Sequence, residues 1–227
     1  MQPLINNPYK SNIIKPTSLA DSAYENLRVA IITGELESGF KLSEIELSQR
    51  FGISRSPIRI ALTRLTSEGL IISELNKSSY VWAPTSEDIF EILSLRRNLE
   101  ILASEIFISQ INEHDLKALE NIIKMQDKSI DSGDFLQLIQ LDRNFHYYFI
   151  AKSKHSRLIK IWTMIMGQWE VLMHKRYYKD HKLTKTVSED HNEILTTFRS
   201  KDLKKLISLH YEINQRVKEE LVRFINP

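Results

Sequence analysis

Two arginines in the N-terminal third of the sequence have a spacing suited to nucleic-acid recognition. Arg55 and Arg59 lie four residues apart, so on a helix both side chains leave the same face. The opposite face would be apolar, with Ile58, Ala61, Leu62 and Leu65. Guanidinium groups bind phosphates and the guanine edge that is exposed in the major groove. We therefore expect this helix to bind in the major groove of DNA. The alternative is that the two arginines only lie on a solvated helix face.

A second group of side chains could hold a divalent metal ion. Asp142 and His146 are also four residues apart, and His191 from a later segment could complete a set of three ligands. Such a set also occurs in metal-dependent hydrolases, where the ion activates water, but no separate general acid or base is recognisable beside it. The plainer alternative is that the histidines line a polar cavity while Asp142 pairs with a basic neighbour.

The elements that would position the arginines start with three helices. Apolar residues at helical spacing predict a first helix from Leu19, which ends near Gly34. A capping box over 43–46 starts a short helix, and Ser54 can cap the next one. Gly52 between these two helices can take a positive φ and so make a tight turn. This pattern is typical of a helix-turn-helix.

A hairpin is predicted directly after these helices. The apolar, β-favouring runs 70–72 and 80–82 flank the polar segment Asn76–Ser79. A hairpin at this place makes the motif a winged helix-turn-helix, and Lys77 at the tip of the wing could reach the DNA backbone or minor groove. We place this unit at 18–83, after a flexible arm at 1–17.

Residues 84–227 predict a helical domain without strands. The break at 83–86 is the best linker inside the chain, and Ser86 followed by two acidic residues predicts a helix start. Six helical segments follow, at 87–110, 113–131, 133–152, 155–180, 184–199 and 202–225. Short breaks between helices favour an antiparallel bundle. The fold class is therefore mainly α, with a winged helix-turn-helix followed by a bundle of about six helices.

The N-terminal motifs resemble the GntR family of bacterial regulators. The resemblance covers about 19–72 and is strongest in Phe51-Gly52-Ile53-Ser54-Arg55-Ser56-Pro57-Ile58-Arg59, together with Leu19, Tyr24, Gly39 and Leu42. It implies a homodimer that binds double-stranded operator DNA, and we predict DNA contacts from Ser54, Arg55, Ser56 and Arg59. Ile45 stands where some relatives carry a DNA-contacting arginine, so that contact is missing here.

The remainder of the chain resembles the FCD effector domain of FadR-type regulators. The matching residues are Arg96 to Glu100, Asp142 with His146, and Asp190 to Leu195. The resemblance implies that Arg96 faces a carboxylate effector, although a salt bridge from Arg96 to Glu100 is the simpler alternative. It also implies that Asp142, His146 and His191 bind the effector or a divalent ion such as zinc, nickel or manganese.

The usual fourth metal ligand is absent from this sequence. The position that holds it in the family is Ile213. His210 lies one turn earlier, but an offset of three residues turns a side chain by about 60° and shifts it by about 4.5 Å. His210 is therefore a doubtful substitute.

A cluster of aromatic residues and methionines lies in the fourth helix of the predicted bundle. We expect these residues to be bundle core, although they could also form the apolar walls of an effector cavity: Trp162, Met164, Met166, Trp169 and Met173. Such a cavity, with a polar floor, would suit a small organic acid.

Composition excludes several classes of protein. The chain has 227 residues and no cysteine, which excludes disulfides and cysteine nucleophiles and favours a cytoplasmic location. It shows neither a signal-peptide pattern nor an apolar run near the ~18 residues of a membrane span, so we expect no membrane partner. The formal net charge of +2 does not by itself identify a nucleic-acid binder.

We predict a ligand-responsive transcription regulator, more commonly a repressor in this family, and not an enzyme. Two alternatives stay open. A hydrolase built on the helical domain would use the metal ligands but would leave 19–82 unexplained. A regulator with a decayed effector site would keep the helices only for dimerisation, in line with the missing ligand at Ile213.

Overall fold

The computed structural model describes residues 18–73 and 78–225 and is mainly helical. Its N-terminal part contains α1 (Leu19–Ile32), β1 (Lys41–Leu42), α2 (Glu44–Phe51), α3 (Arg55–Ser67), β2 (Ile71–Ser73) and β3 (Ser79–Val81). The bundle contains α4 (Ser86–Ile108), α5 (Glu113–Ser132), α6 (Phe135–Lys152), α7 (Ser156–Lys179), a 3₁₀ turn (His181–Thr184), α8 (Lys185–Ser200) and α9 (Leu203–Ile225). The predicted fold class is confirmed. The predicted arm at 1–17 and Lys77 lie outside the described residues.

Serine caps and one glycine define the helix-turn-helix. The Ser43 hydroxyl accepts a hydrogen bond from the Glu46 amide and so caps α2, which is one half of the predicted capping box. Gly52 ends α2 with a φ of 64°, a conformation in which a side chain would be strained. Ser54 is the N-cap residue of α3, but its side chain makes no capping hydrogen bond. The N-cap position is therefore predicted correctly, but the predicted capping hydrogen bond is absent.

The three strands form one small antiparallel sheet in the order β1-β3-β2. In the predicted hairpin, Ile71 pairs with Val81. In the other pair, Lys41 of β1 is opposite Tyr80. The sequence did not predict β1, because a strand of two residues is too short to show an alternating pattern. With β1 the sheet ties the loop after α1 to the wing.

The six predicted helices of the bundle are present, with each end within two residues of the prediction. The first begins at Ser86 and is capped by Thr85, whose side chain forms a capping box with Asp88. In the bundle, α4 packs against α9 and α5 lies between α6 and α8. Buried phenylalanines fill the space between these helices, among them Phe107, Phe145, Phe149 and Phe198.

The aromatic and methionine cluster of α7 is core at four of its five positions. Trp162, Met166, Trp169 and Met173 are buried. The prediction is wrong for Met164, which is 48% exposed. A residue two positions after Trp162 is rotated by about 200° around the helix, so it points away from the core that Trp162 enters.

Candidate DNA-binding and effector sites

Helix α3 separates core from potential DNA contacts as its sequence pattern predicts. Ile58, Ala61 and Leu65 are fully buried. On the other face, the side chains of Arg55 and Arg59 are 55% and 66% exposed. Ser54 and Ser56 are exposed beside them at the start of the helix. Four of the five side chains predicted to contact DNA are thus brought together on one accessible surface, and the fifth, Lys77, lies outside the described residues.

One carboxylate holds both arginines. Glu44 Oε2 accepts hydrogen bonds from Nη2 of Arg55 and Nη2 of Arg59, each at 3.0 Å, and Glu44 Oε1 accepts a third from Arg59 Nε at 3.0 Å. The pKa of Glu44 is lowered, mainly by the hydrogen bond from Arg59. Sequence reasoning missed this residue, because Glu44 lies on α2 and the chain spacing does not show that it reaches α3.

The predicted metal ligands meet inside the bundle. Asp142 and His146 from α6 and His191 from α8 are buried, and one ligand atom from each lies within 4.8 Å of the others. The two Nε2 atoms of His146 and His191 are 3.1 Å apart. Asp142 Oδ1 lies 3.8 Å from the first and 3.5 Å from the second. Three donor atoms therefore converge on one point.

The outer nitrogens of both histidines face acceptors. His191 Nδ1 is 2.9 Å from Gln126 Oε1, and His146 Nδ1 is 3.1 Å from Glu100 Oε2. A proton on His191 Nδ1 suits the Gln126 oxygen and leaves a lone pair on His191 Nε2, whereas His146 Nδ1 makes no hydrogen bond within the described residues. Such outer partners fix the tautomer of metal-binding histidines in known sites. The two Nε2 atoms, 3.1 Å apart, are close enough to share one proton or to bind one cation.

His210 also lies near Glu100 but outside this group. Its Nδ1 is 3.9 Å from Glu100 Oε2, and its Nε2 is buried without a hydrogen-bond partner in the described part of the chain. It is not one of the three residues whose donors converge. Ile213 lines the same cavity with an apolar side chain. The doubtful fourth ligand therefore stays a prediction.

Arg96 forms the salt bridge to Glu100 that was the simpler of its two predicted roles. Its Nε donates to Glu100 Oε1 at 2.7 Å, and its guanidinium stacks on Trp169 with 3.8 Å to the ring centroid. Arg96 Nη2 lies 3.7 Å from Asp142 Oδ2 and has no hydrogen-bond partner among the described residues. One end of the guanidinium is thus fixed while the other faces the cavity.

The cavity is small and strongly charged. Its volume is about 50 Å³, and its lining includes Arg96, Glu100, Asp142, His146, His191 and His210 together with Trp169, Met173, Tyr177 and Ile213. Burial opposes the charge on Glu100, but Arg96, His146 and His210 lower its pKa to about 2. Burial lowers the pKa of both His191 and His210 to about 4. The carboxylates are therefore ionised and these two histidines neutral at pH 7.

A buried carboxylate links this bundle to the N-terminal part. Glu170 of α7 is bound by Arg28 from α1 and by Arg143 from α6. The residues one position earlier on each helix, Trp169 and Asp142, are also in contact. Trp169 Nε1 donates to Asp142 Oδ2 at 3.0 Å. Two adjacent pairs between α6 and α7 thus face in different directions, one toward the cavity and the other toward α1.

A winged helix-turn-helix with an exposed arginine surface, joined to a helical bundle that encloses a charged cavity, defines a DNA-binding transcription regulator. Residues 19–81 match the family described as bacterial regulatory proteins, gntR family, and residues 91–212 match the FCD domain. The chain belongs to the GntR family, in the FadR subfamily that carries an FCD domain. The matched families are regulators and not enzymes, so the hydrolase alternative is not supported.

Relatives of known sequence agree with this assignment. The chain is 32% identical over 193 residues to the gluconate operon transcriptional repressor of Bacillus subtilis, covering 83% of this chain and 79% of the relative. It is 28% identical over 189 residues to the uncharacterized HTH-type transcriptional regulator YdhC of the same species, covering 83% and 84%. The structure of Escherichia coli McbR/YncC superposes with a TM-score of 0.75 at 22% identity, covering 91% of this chain and 98% of that one.

Within 18–73 and 78–225, none of the helices is both long and apolar enough to cross a membrane.

Proposed function

We propose that this regulator represses transcription by binding an operator as a homodimer, and that a small carboxylate effector in the bundle changes its affinity for DNA. The observation that carries the proposal is the pair of inward-facing histidine Nε2 atoms beside Arg96 Nη2, enclosed in one cavity. This arrangement suits an anion held by an ion and a guanidinium. We assign DNA binding to 18–83 and effector binding and dimerisation to 84–227, and place the protein in the cytoplasm.

In this proposal α3 enters the major groove, with Arg55 and Arg59 as the base-reading residues. Ser54 and Ser56 at the N-terminus of α3 are placed to donate to phosphate, where the helix dipole also favours an anion. A bidentate arginine–guanine contact contributes about 1–3 kcal/mol of discrimination.

The DNA assignment is tested by selecting an operator from random double-stranded DNA and measuring its affinity. Arg59→Ala should weaken binding by about 10- to 100-fold. Arg50→Ala is the matched control, because Arg50 lies in the last turn of α2 with an exposed side chain paired to Glu35. Equal effects of the two substitutions would contradict the assignment of α3 as the recognition helix.

A divalent metal fits the residues that are present. Asp142, His146 and His191 would hold it, and the donor set of one carboxylate and two imidazoles suits zinc, nickel or manganese. A bound ion would supply a positive charge to which an acid can bind. With Ile213 at the place of a further ligand, more of the coordination sphere is left to the effector or to water.

The metal is tested by elemental analysis of the purified protein. About one equivalent per chain should be found, and His146→Ala should lose it, whereas His114→Ala on the exposed start of α5 should keep it. Thermal shifts are then measured with acetate, citrate and gluconate, because a ligand of the folded state raises the melting temperature. No metal and no shift with any acid would favour the decayed-site alternative.

Exposed apolar side chains on α4 and α7 support the homodimer. Leu95 and Leu102 on α4, and Ile161 and Met164 on α7, are each about 40–50% exposed. The two helices are neighbours, because Trp162 Nε1 of α7 donates to Glu100 Oε1 of α4. We expect a second copy to cover this surface. Sedimentation should give a dimer for the wild type and a monomer for Leu102→Glu, and a dimer for both would place the interface elsewhere.

A further inference from the structure

Glu44 has a role in DNA binding that the recognition helix alone does not indicate. It is the first residue of α2, and it accepts all of its arginine hydrogen bonds from α3. Its side chain is 28% exposed, less than either arginine that it binds. The carboxylate is therefore less accessible to solvent than the two guanidinium groups that it binds.

The geometry of Arg59 leaves its guanine-reading edge free. Glu44 binds the side edge of the guanidinium, formed by Nε and Nη2. The end of the group still presents Nη1 and the second hydrogen of Nη2, and two such donors suit O6 and N7 of one guanine. Arg55 gives Glu44 only Nη2, and within 18–73 and 78–225 its Nη1 and Nε do not bind Glu44. Contact with Glu44 and contact with a base are thus compatible.

The Glu44 carboxylate also lowers the net positive charge of the surface that would contact DNA. Two arginines without it would present two positive charges to any phosphate, and binding of this kind is independent of sequence. Glu44 neutralises one of them and holds both side chains against rotation toward the backbone. At Ile45, the next residue, the chain has an exposed apolar side chain and adds no further charge.

We propose that Glu44 is a positioning residue for specificity: it holds Arg55 and Arg59 with their free edges toward the bases and suppresses their binding to phosphate. This inference rests on the proposed reading of DNA by α3. It concerns discrimination between sequences, whereas the arginines themselves supply affinity.

The test uses full-length protein and the operator that the wild type selects from random double-stranded DNA, with a scrambled duplex of equal length as the non-specific probe. Glu44→Gln keeps the size of the side chain and removes its charge. The ratio of specific to non-specific affinity should fall at least 10-fold, and the slope of log K against log salt should steepen by about 0.9 per protomer as one more phosphate is bound.

Base preference is the readout that a merely structural role would not move. Selection repeated with Glu44→Gln should lose guanine preference at the same positions as selection with Arg59→Ala. The control is Glu46→Gln, an exposed acidic residue in the same first turn of α2, which should keep the wild-type preference.

Two outcomes would overturn the inference. In one, Glu44→Gln weakens or strengthens all duplexes equally, so that the specificity ratio and the base preference stay unchanged. In the other, the wild type selects no sequence at all, which also overturns the proposed reading of DNA by α3. The two are distinguished by the wild-type selection alone.

Discussion

Two clusters in this protein are each built around a glutamate that binds arginine, and they differ in their contact with water. At the surface, Glu44 binds Arg55 and Arg59, whose side chains are more than half exposed. In the bundle, Glu100 binds Arg96 and faces His146, and all three are buried. Exposed ion pairs add little to stability, whereas a buried charge that loses its partner is costly. The first cluster is therefore available for binding another molecule, and the second is part of the folded core.

The largest expected difference is in stability. Glu100→Ala removes the nearer of the two carboxylates that face the buried Arg96 and should cost about 3–5 kcal/mol, a fall in melting temperature on the order of 10 °C. Glu44→Ala should cost about 1 kcal/mol or less, since its partners are exposed. Thermal unfolding of both variants checks this, and similar losses would remove the distinction between the clusters.

The contribution of the contact between the bundle and α1 to stability should lie between those of the two clusters. Glu170→Gln removes the negative charge shared by Arg28 and Arg143, and because the side chain of Arg143 is partly exposed we expect a cost of about 2 kcal/mol. Urea unfolding measures it, with the exposed Glu91→Gln on α4 as the control. A loss no larger than that of the control would show that the contact does not bind the two parts together.

The buried cluster should also respond to pH. The pKa of His210 is about 4 in the folded chain because of its burial, against about 6.5 when unfolded. The unfolded chain takes up the proton first as pH falls, so the stability contributed by His210 is present above 6.5 and lost between 6.5 and 4. From pH 7 to 5, in the presence of a chelator, the wild type should lose about 2 kcal/mol more than His210→Gln. Parallel curves would contradict this.

The smallest difference is expected between two serines at helix starts. Ser43 caps α2 through its hydroxyl, so Ser43→Ala should cost about 1 kcal/mol. Ser54 makes no capping hydrogen bond, so Ser54→Ala should change stability by less than about 0.5 kcal/mol while weakening DNA binding. Chemical unfolding and operator affinity, measured on both variants, separate the roles. If Ser54→Ala lost as much stability as Ser43→Ala, the assignment of Ser54 to DNA binding alone would be contradicted.

The sequence predicts the elements of this fold better than the partners of its charged groups. Helix ends are local events, marked by residues such as Gly52 and Thr85, and their positions follow from the chain itself. Asp142 and His146 also share a local spacing, which is why the metal ligands on α6 could be recognised.

Contacts between segments that are distant in sequence could not be predicted in this way. Glu44 with Arg59, and Glu170 with Arg28, join segments whose relation is fixed only by tertiary packing. Arg96 could be assigned two roles from its sequence, and the structure shows both a bond to Glu100 and an Nη2 that makes no hydrogen bond to the described residues. The error at Met164 has a similar origin, since membership of an apolar cluster does not tell which side of the helix a residue takes.

The close packing of α7 against the wing has a consequence for how the chain unfolds. Leu70 lies so near Gly167 that a Cβ there would be 3.2 Å from its side chain, and Gln168 closes over Gly69 in the same way. Together with the Arg28–Glu170 contact, this interface joins the two parts directly. In calorimetry the protein should melt in one cooperative transition, and residues 18–83 expressed alone should be less stable than the same residues in the whole chain.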